Sequence, residues 1–295
     1  MMRNKIMRYS ISAPAKINLY LDVLSKQDNG YHNIKSVMQA VSIYDEITLA
    51  LQESSKNKII LSGSNCGIAW DNKNLVYKAC ELFIKEAKIS GYTFNLFVEK
   101  KIPICAGMAG GSTDAAGTLL LLNQAFDDFF TNEELCKIAS KLGADVAFCI
   151  NGGTCLCEGI GERLTPLKSF SGKYLVCAID DSCVSTPEAY ALLDEKYGTN
   201  CTDSASIDKL ISSIENDDLN GVCSELYNKF ESVILPKLPN VESIKSILKK
   251  NGAIGTLMSG SGPSVFGIFE TEEAQLNGYL ALLSKEFTAF MCKTI

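Results

Sequence analysis

Residues 11 to 24, ISAPAKINLYLDVL, alternate. Ala13, Ala15, Ile17, Leu19, Leu21 and Val23 fall on one side, and Lys16, Asn18, Tyr20 and Asp22 on the other. A period of two belongs to a strand, here one with a polar second face. Asp28-Asn29-Gly30 then marks residues 25–36 as turn or loop. Residues 37–51 resume as strand. From Leu75 the spacing of Leu75, Ala79, Leu82 and Phe83 changes to that of a helix, with Asn74 as its N-cap. Phe94, Leu96 and Val98 restore the alternation. A glycine-rich stretch at 103–112 leads into an apolar helix at 113–126. The next helix has Thr131 as N-cap, a glutamate three residues on, and Gly143 as its stop.

The second half is also mixed. Residues 153–167 read as strand and turn, and 172–180 as strand. A helix opens with Thr186 before Pro187. Two amphipathic helices are expected between Ser204 and Lys229, and another ends at Gly252. Residues 253–269 read as strand, glycine loop, strand, and a helix closes the chain. Without regular strand–helix alternation, the pattern favours α+β in two domains, with a boundary near 159–172 taken at 163/164.

Composition narrows the function. Lys plus Arg number 28 against 34 Asp plus Glu, so the net charge is -6 and nucleic acid is a poor partner. No apolar run reaches membrane-span length. The twelve cysteines need no disulfides in a chain of 295 residues, and with a single histidine they offer no zinc-binding pattern. The expectation is a reduced, cytoplasmic, soluble protein with no protein-held metal.

Chemistry concentrates in two glycine loops. In PICAGMAGGSTDAA, Gly107, Gly110 and Gly111 precede a helix expected to start near Ser112. The first N–H groups of such a helix, with its positive dipole end, suit an anion; a tight turn that binds nothing is the plainer alternative. MSGSGPS, with Gly260 and Gly262, repeats the device between two strands, or is a flexible hairpin. A phosphate site also needs a cation and a group to position the attacking hydroxyl. Lys16 and Asp145 are the candidates, although alone Lys16 reads as a solvated strand residue and Asp145 as a cap. His32, alone, reads as a surface loop residue. Tyr31 beside it could stack on a base.

PAKINLYLDV, PICAGMAGGSTDAAGTLL and MSGSGPSVFGIF, in this order, resemble the three motifs of the galactokinase, homoserine kinase, mevalonate kinase and phosphomevalonate kinase (GHMP) superfamily. GYHNI, LGADVAFCINGGTCLCEGIGE and STPEAY resemble its members whose substrate carries a cytidine diphosphate group. The resemblance implies a ribosomal-protein-like N-terminal domain (1–163, binding ATP), a ferredoxin-like C-terminal domain (164–295, binding substrate), and a cleft between. It implies ATP and Mg²⁺, a small-molecule substrate, and a monomer or homodimer. It makes Lys16 and Asp145 catalytic. It puts Asn18, Tyr31, His32, Thr186, Tyr190, Ser259 and Gly260 on the substrate. The triphosphate falls to Pro103, Gly107, Met108, Ala109, Gly110, Gly111, Ser112 and Thr113, with Ser112 also a possible metal ligand. Adenine falls to Asn74–Leu75 and the backbone near Lys100 and Lys101. Ala109 and Met108 depart from the all-glycine core of many members, and alanine is expected to forgo positive φ there. The alternatives are a sister kinase for another small alcohol, such as homoserine or mevalonate, a nucleotide-binding protein without transfer, and an RNA-contacting protein. Tyr31-His32 with Thr186-Pro187, the intact Lys16 and Asp145, and the acidic charge argue against them in turn.

Overall fold

The computed structural model describes residues 6–180, 182, 184–198 and 206–295. Contacts divide them into two units that interleave in sequence. The first comprises the chain up to Ala15, Tyr44–Ile102 and Ala109–Asn151; the second comprises Lys16–Ile43, Pro103–Met108 and the described part of Gly152–Ile295. Strands β1 (Met7–Lys26) and β2 (His32–Glu53) contribute to both.

In the first unit, β3 (Lys58–Gly63) is followed by α1 (Leu75–Glu86) and β4 (Tyr92–Glu99). The strands run in the order β3-β4-β2-β1, with β4 antiparallel to β2 and parallel to β3. The alternation read from the sequence is what the sheet buries: Phe94, Leu96 and Val98 are 2% exposed or less. Asn74 caps α1 by accepting from the N–H of Val76. Three helices follow: α2 (Gly110–Ala125), α3 (Asn132–Ala139) and α4 (Ala144–Asn151). Helix α2 packs against α1, α3 and α4, so it is apolar on nearly every side, as a central helix must be. It also lies close to the sheet. A Cβ at Gly117 would stand 2.6 Å from Ile47 Cδ1 and 3.1 Å from Ala13 Cβ. The expected capping box of α3 forms between Thr131 and Glu134.

In the second unit, β5 (Thr154–Gly159) and β6 (Arg163–Pro166) form a hairpin whose first strand pairs with Ile34–Gln39 of β2. Strand β7 (Tyr174–Ile179) precedes α5 (Thr186–Tyr197), α6 (Ile207–Glu215) and α7 (Leu219–Ser224). Then come β8 (Tyr227–Asn228), α8 (Glu231–Ile234), α9 (Pro239–Lys250), β9 (Gly255–Met258), β10 (Val265–Phe269), α10 (Glu272–Leu283) and β11 (Thr288–Lys293). The antiparallel sheet β11-β7-β10-β9 has, counting its strands along the chain, the ferredoxin-like order four-one-three-two. Its core joins Val176, Ala178, Leu193, Phe230, Ile244, Leu248 and Phe269. Among the described residues, no helix is long and apolar enough to cross a membrane.

Several local expectations are corrected. Strand β2 begins at His32, not after Ser36, so His32 opens a strand and is only 9% exposed rather than on the surface. The polar second face of β1 is buried: Lys16 is 4% exposed, Asn18 1% and Asp22 0%. Helix α2 starts at Gly110, two residues before Ser112. Ser185, not Thr186, caps α5, its side chain accepting from the N–H of Glu188. Strands β3, β8 and β11 and helices α4 and α8 go unannounced by the periodicity. They are short, and β11 follows a helix that reads as the end of the chain. Ser204, the start expected for the acidic helices, lies outside the described residues.

Candidate functional site

Alternation along β1 puts Lys16 and Asn18 on one face, two residues apart. The Lys16 ammonium donates to Asn18 Oδ1 at 2.7 Å and to the carbonyl of Gly107 at 3.1 Å. Its backbone N–H donates to the carbonyl of Met108 at 3.2 Å. The first strand and the first glycine loop are therefore tied twice, by backbone and by ammonium. Asn18 is fixed in turn: its Nδ2 donates to Ser36 Oγ, whose hydroxyl donates to the carbonyl of Tyr20.

The second glycine loop closes on the same atoms. Gly260 N–H donates to Asn18 Oδ1 at 3.1 Å, and Ser259 Oγ donates to the Gly107 carbonyl at 3.1 Å. Ser264 Oγ donates to the carbonyl of Ala106. Gly107 has φ +68°, and a Cβ there would lie 2.2 Å from the Ser259 carbonyl oxygen. No other residue fits that crossing. Thr186 Oγ1 and Ser261 Oγ are 3.2 Å apart, so the residue that opens α5 meets this loop.

Ala109, at the N-terminus of α2, has φ +59° and ψ +29°, so it adopts the left-handed conformation that an alanine ordinarily avoids, against the expectation from the sequence. That costs about 1 kcal/mol relative to glycine. No side chain caps the helix. Its first internal bond runs from Thr113 N–H to the Ala109 carbonyl. The N–H groups of Gly110, Gly111 and Ser112 precede that ladder and lie at the positive end of a sixteen-residue helix. Thr113 is buried, and its hydroxyl donates to the carbonyl of Pro14. Pro103 is half-buried at the start of the loop, and Met108 is 1% exposed. Asp145 stands in the first turn of α4, which packs on α2. Of the residues expected near adenine, Asn74 spends its side chain on capping α1 and on the Ala69 carbonyl, and the Lys101 N–H donates to Asp45.

A second cluster forms at the start of β2. The His32 ring stacks on Tyr190, with centroids 4.4 Å apart and planes at 15°. Its Nε2 lies 2.8 Å from Asp194 Oδ1. Tyr31, in the turn before it, is 60% exposed.

Residues 74–153 match the GHMP kinases N terminal domain, and residues 209–289 match GHMP kinases C terminal. A 4-diphosphocytidyl-2-C-methyl-D-erythritol kinase of Clostridium tetani is 40% identical over 285 residues, 97% of this chain and 99% of that protein. The chain belongs to the GHMP kinase family. A second relative of this GHMP kinase, from Clostridium botulinum strain Hall and of the same name, is 43% identical over 96% of this chain and 99% of its own. The crystal structure of a 4-(cytidine 5'-diphospho)-2C-methyl-D-erythritol kinase superposes with a TM-score of 0.79 at 26% identity, covering 97% of this chain and 98% of that one.

The kinase also contains an ion cluster that the sequence did not announce. The Lys100 ammonium, 4% exposed, is bonded to Asp45 Oδ2 and, at 2.7 Å, to Asp114 Oδ2. Asp45 further accepts from the N–H groups of Lys101 and Ile102. One ammonium thus serves two buried carboxylates, and Asp114 Oδ1 is buried with no hydrogen-bond partner among the described residues. Burial pushes the Asp114 carboxyl up to about 7, against the opposing pull of Lys100 and with the support of the Asp45 charge. A carboxyl raised on folding stabilises the folded state fully below its unfolded pKa, and that contribution is lost as pH rises through the folded value. Stability from Asp114 therefore falls between about pH 4 and pH 7. Asp114→Asn removes this slope and stabilises the protein at neutral pH by on the order of 1 kcal/mol or more. Urea unfolding across that pH range checks it; an unchanged slope refutes it.

Sequence reasoning missed Asn228 as well. Its Nδ2 donates to the carbonyls of Met258 and Gly260, setting the path of the second glycine loop. Nothing in its neighbourhood, LYNKF, signals that role. Asp194 was missed too, although it lies one helical turn beyond Tyr190 and so on the same face of α5.

Proposed function

We propose that this kinase transfers the γ-phosphate of ATP to the 2-hydroxyl of 4-diphosphocytidyl-2-C-methyl-D-erythritol, the compound for which its relatives are named. The observation that carries this reading is the ammonium of Lys16 held against the carbonyl of Gly107. It supplies the cation that the glycine loop lacks in its own sequence.

The N–H groups of Gly110, Gly111 and Ser112 receive phosphate oxygens, held by backbone donors that need no reorganisation. Lys16, kept in place by Asn18, offsets negative charge on the transferred group and on the attacking oxygen. Asp145 orients the hydroxyl and accepts its proton. Mg²⁺ fits the oxygen donors of this reading: the triphosphate and water with the Ser112 hydroxyl, a hard oxygen set of the kind this ion takes. When bound, it neutralises phosphate charge. Met108 and Ala109 shape the loop, and Thr113 anchors it through Pro14. On the substrate side, His32, Tyr31 and Tyr190 take the cytosine, and Thr186, Ser259 and Gly260 adjoin its diphosphate. In this reading the division is one of roles along the sequence rather than of packed units: residues 1–163 supply the ATP site and 164–295 most of the substrate site, with Asn18, Tyr31 and His32 reaching the substrate from the first. The enzyme works in the cytoplasm, as a monomer or homodimer.

An ATP-consumption assay with the cytidine-diphosphate substrate, run beside homoserine and mevalonate, tests the reading. Turnover with the first alone supports it; turnover only with either of the others overturns it. His32→Ala raises the KM for the cytidine-bearing substrate about tenfold, the scale of a lost hydrogen bond to the base, and leaves that for ATP nearly unchanged. Equal effects on both remove His32 from the base site.

A further inference from the structure

The imidazole of His32 is constrained on its face and on one edge by a single helix. Tyr190 and Asp194 lie four residues apart on α5, and so point the same way. Tyr190 stacks on the ring, and is itself held edge-on by Phe230 at 5.0 Å and 81°. Asp194 Oδ1 meets Nε2 at 2.8 Å, while its Oδ2 accepts from Lys26 Nζ at 2.5 Å. The His32 side chain is 7% exposed. Among the described residues, Nδ1 has no hydrogen-bond partner.

The carboxylate fixes where the proton sits. Partial burial raises the Asp194 carboxyl, but the hydrogen bonds from Lys26 and His32 outweigh it and hold it below the ordinary range. An ionised carboxylate only accepts, so Nε2 carries hydrogen. In the neutral ring Nδ1 then presents a lone pair. A keto oxygen facing a lone pair meets another acceptor and gains nothing. An exocyclic amine at the same place donates to it. Cytosine carries an amine where uracil carries a keto oxygen.

We infer that Asp194 is a positioning residue that locks His32 as its Nε2–H tautomer, so that Nδ1 accepts from the exocyclic amine and selects an amino-pyrimidine over a keto-pyrimidine nucleoside diphosphate. This rests on the reading that His32 faces the substrate base. Lys26 acts one step further out, holding the carboxylate toward the ring.

His32 is the only histidine in the chain, so ¹⁵N-histidine labelling yields one imidazole to observe. Above the ordinary histidine titration range, the wild-type spectrum shows a pyridine-type Nδ1 and a pyrrole-type Nε2. In Asp194→Asn, whose amide can also donate to Nε2, the signals move toward a tautomer mixture. The kcat/KM preference for the cytidine substrate over its uridine counterpart falls about tenfold in Asp194→Asn, the scale of one hydrogen bond. Asp194→Glu, which keeps an acceptor, retains most of the preference, and the KM for ATP stays constant in both variants. An Nδ1–H tautomer in the wild type overturns the inference even if no variant folds. So does an unchanged preference in Asp194→Asn while His32→Ala abolishes it. If His32→Ala leaves both base preference and substrate KM unchanged, the base-site reading itself is wrong and the inference falls with it.

Discussion

Asp145→Asn lowers turnover by about a hundredfold or more, the usual scale for a positioned proton acceptor, and leaves the KM for ATP nearly unchanged. The two effects separate because asparagine keeps the size and hydrogen-bonding reach of aspartate but cannot take up a proton from an alcohol. Asp145 sits in the first turn of α4, where the dipole favours a negative charge. The backbone donors proposed for the triphosphate belong to α2, whose first turn the substitution leaves alone. Steady-state kinetics with each substrate varied in turn checks both parts. Turnover near that of the wild type removes Asp145 from the chemistry. An ATP KM raised in proportion to the loss makes it a nucleotide-binding residue.

The largest loss of stability is expected at Lys100. Lys100→Met destabilises the protein by about 3–5 kcal/mol, the cost of removing one partner from a buried ion cluster. Methionine fills the space of the lysine stem, so little of the loss comes from packing. The cost arises because Asp45 and Asp114, both buried, then face each other without the shared ammonium. Asp45 keeps its two backbone donors, whereas Asp114 loses the ammonium that bonds its Oδ2. Adding Asp114→Asn to Lys100→Met therefore recovers part of the loss. The midpoint of urea unfolding reports both steps. A single variant within 1 kcal/mol of wild type, on the scale of an exposed pair, shows that the cluster is not the anchor described.

Much of this protein is legible in its sequence, for identifiable physical reasons. Strand β4 and helices α1, α3 and α9 follow local rules: alternation, an Asn or Thr cap, a glycine stop. The two glycine loops are equally plain, since glycine clusters are scarce and serve close approach. What periodicity could not show is what covers a face. Lys16 reads as solvated because polar residues on a strand usually are; the loops that cover it and Asn18 come from about ninety and two hundred and forty residues away. Ala109 looked barred from positive φ because local sterics disfavour it, but the loop's contacts impose it. His32 looked like a loop residue because the turn at 28–30 is strong and the partners that bury it lie on α5. From their own surroundings Lys16 and Asp145 are candidates only; the family resemblance is what makes them catalytic.

The two glycine loops cross although they lie about one hundred and fifty residues apart in the chain. Gly107 touches Ser259 and Gly260, and Ala106 accepts from Ser264. During synthesis, a growing chain that has emerged only to residue 250 carries Lys16 and the whole first loop, joined through the ammonium, but lacks Ser259, Gly260 and Ser264, which fasten that loop and Asn18 from the other side. The lysine's surroundings are completed only when residues 259–264 have left the ribosome, so a product terminated before them retains the phosphate motif and its cation without the second loop that braces both.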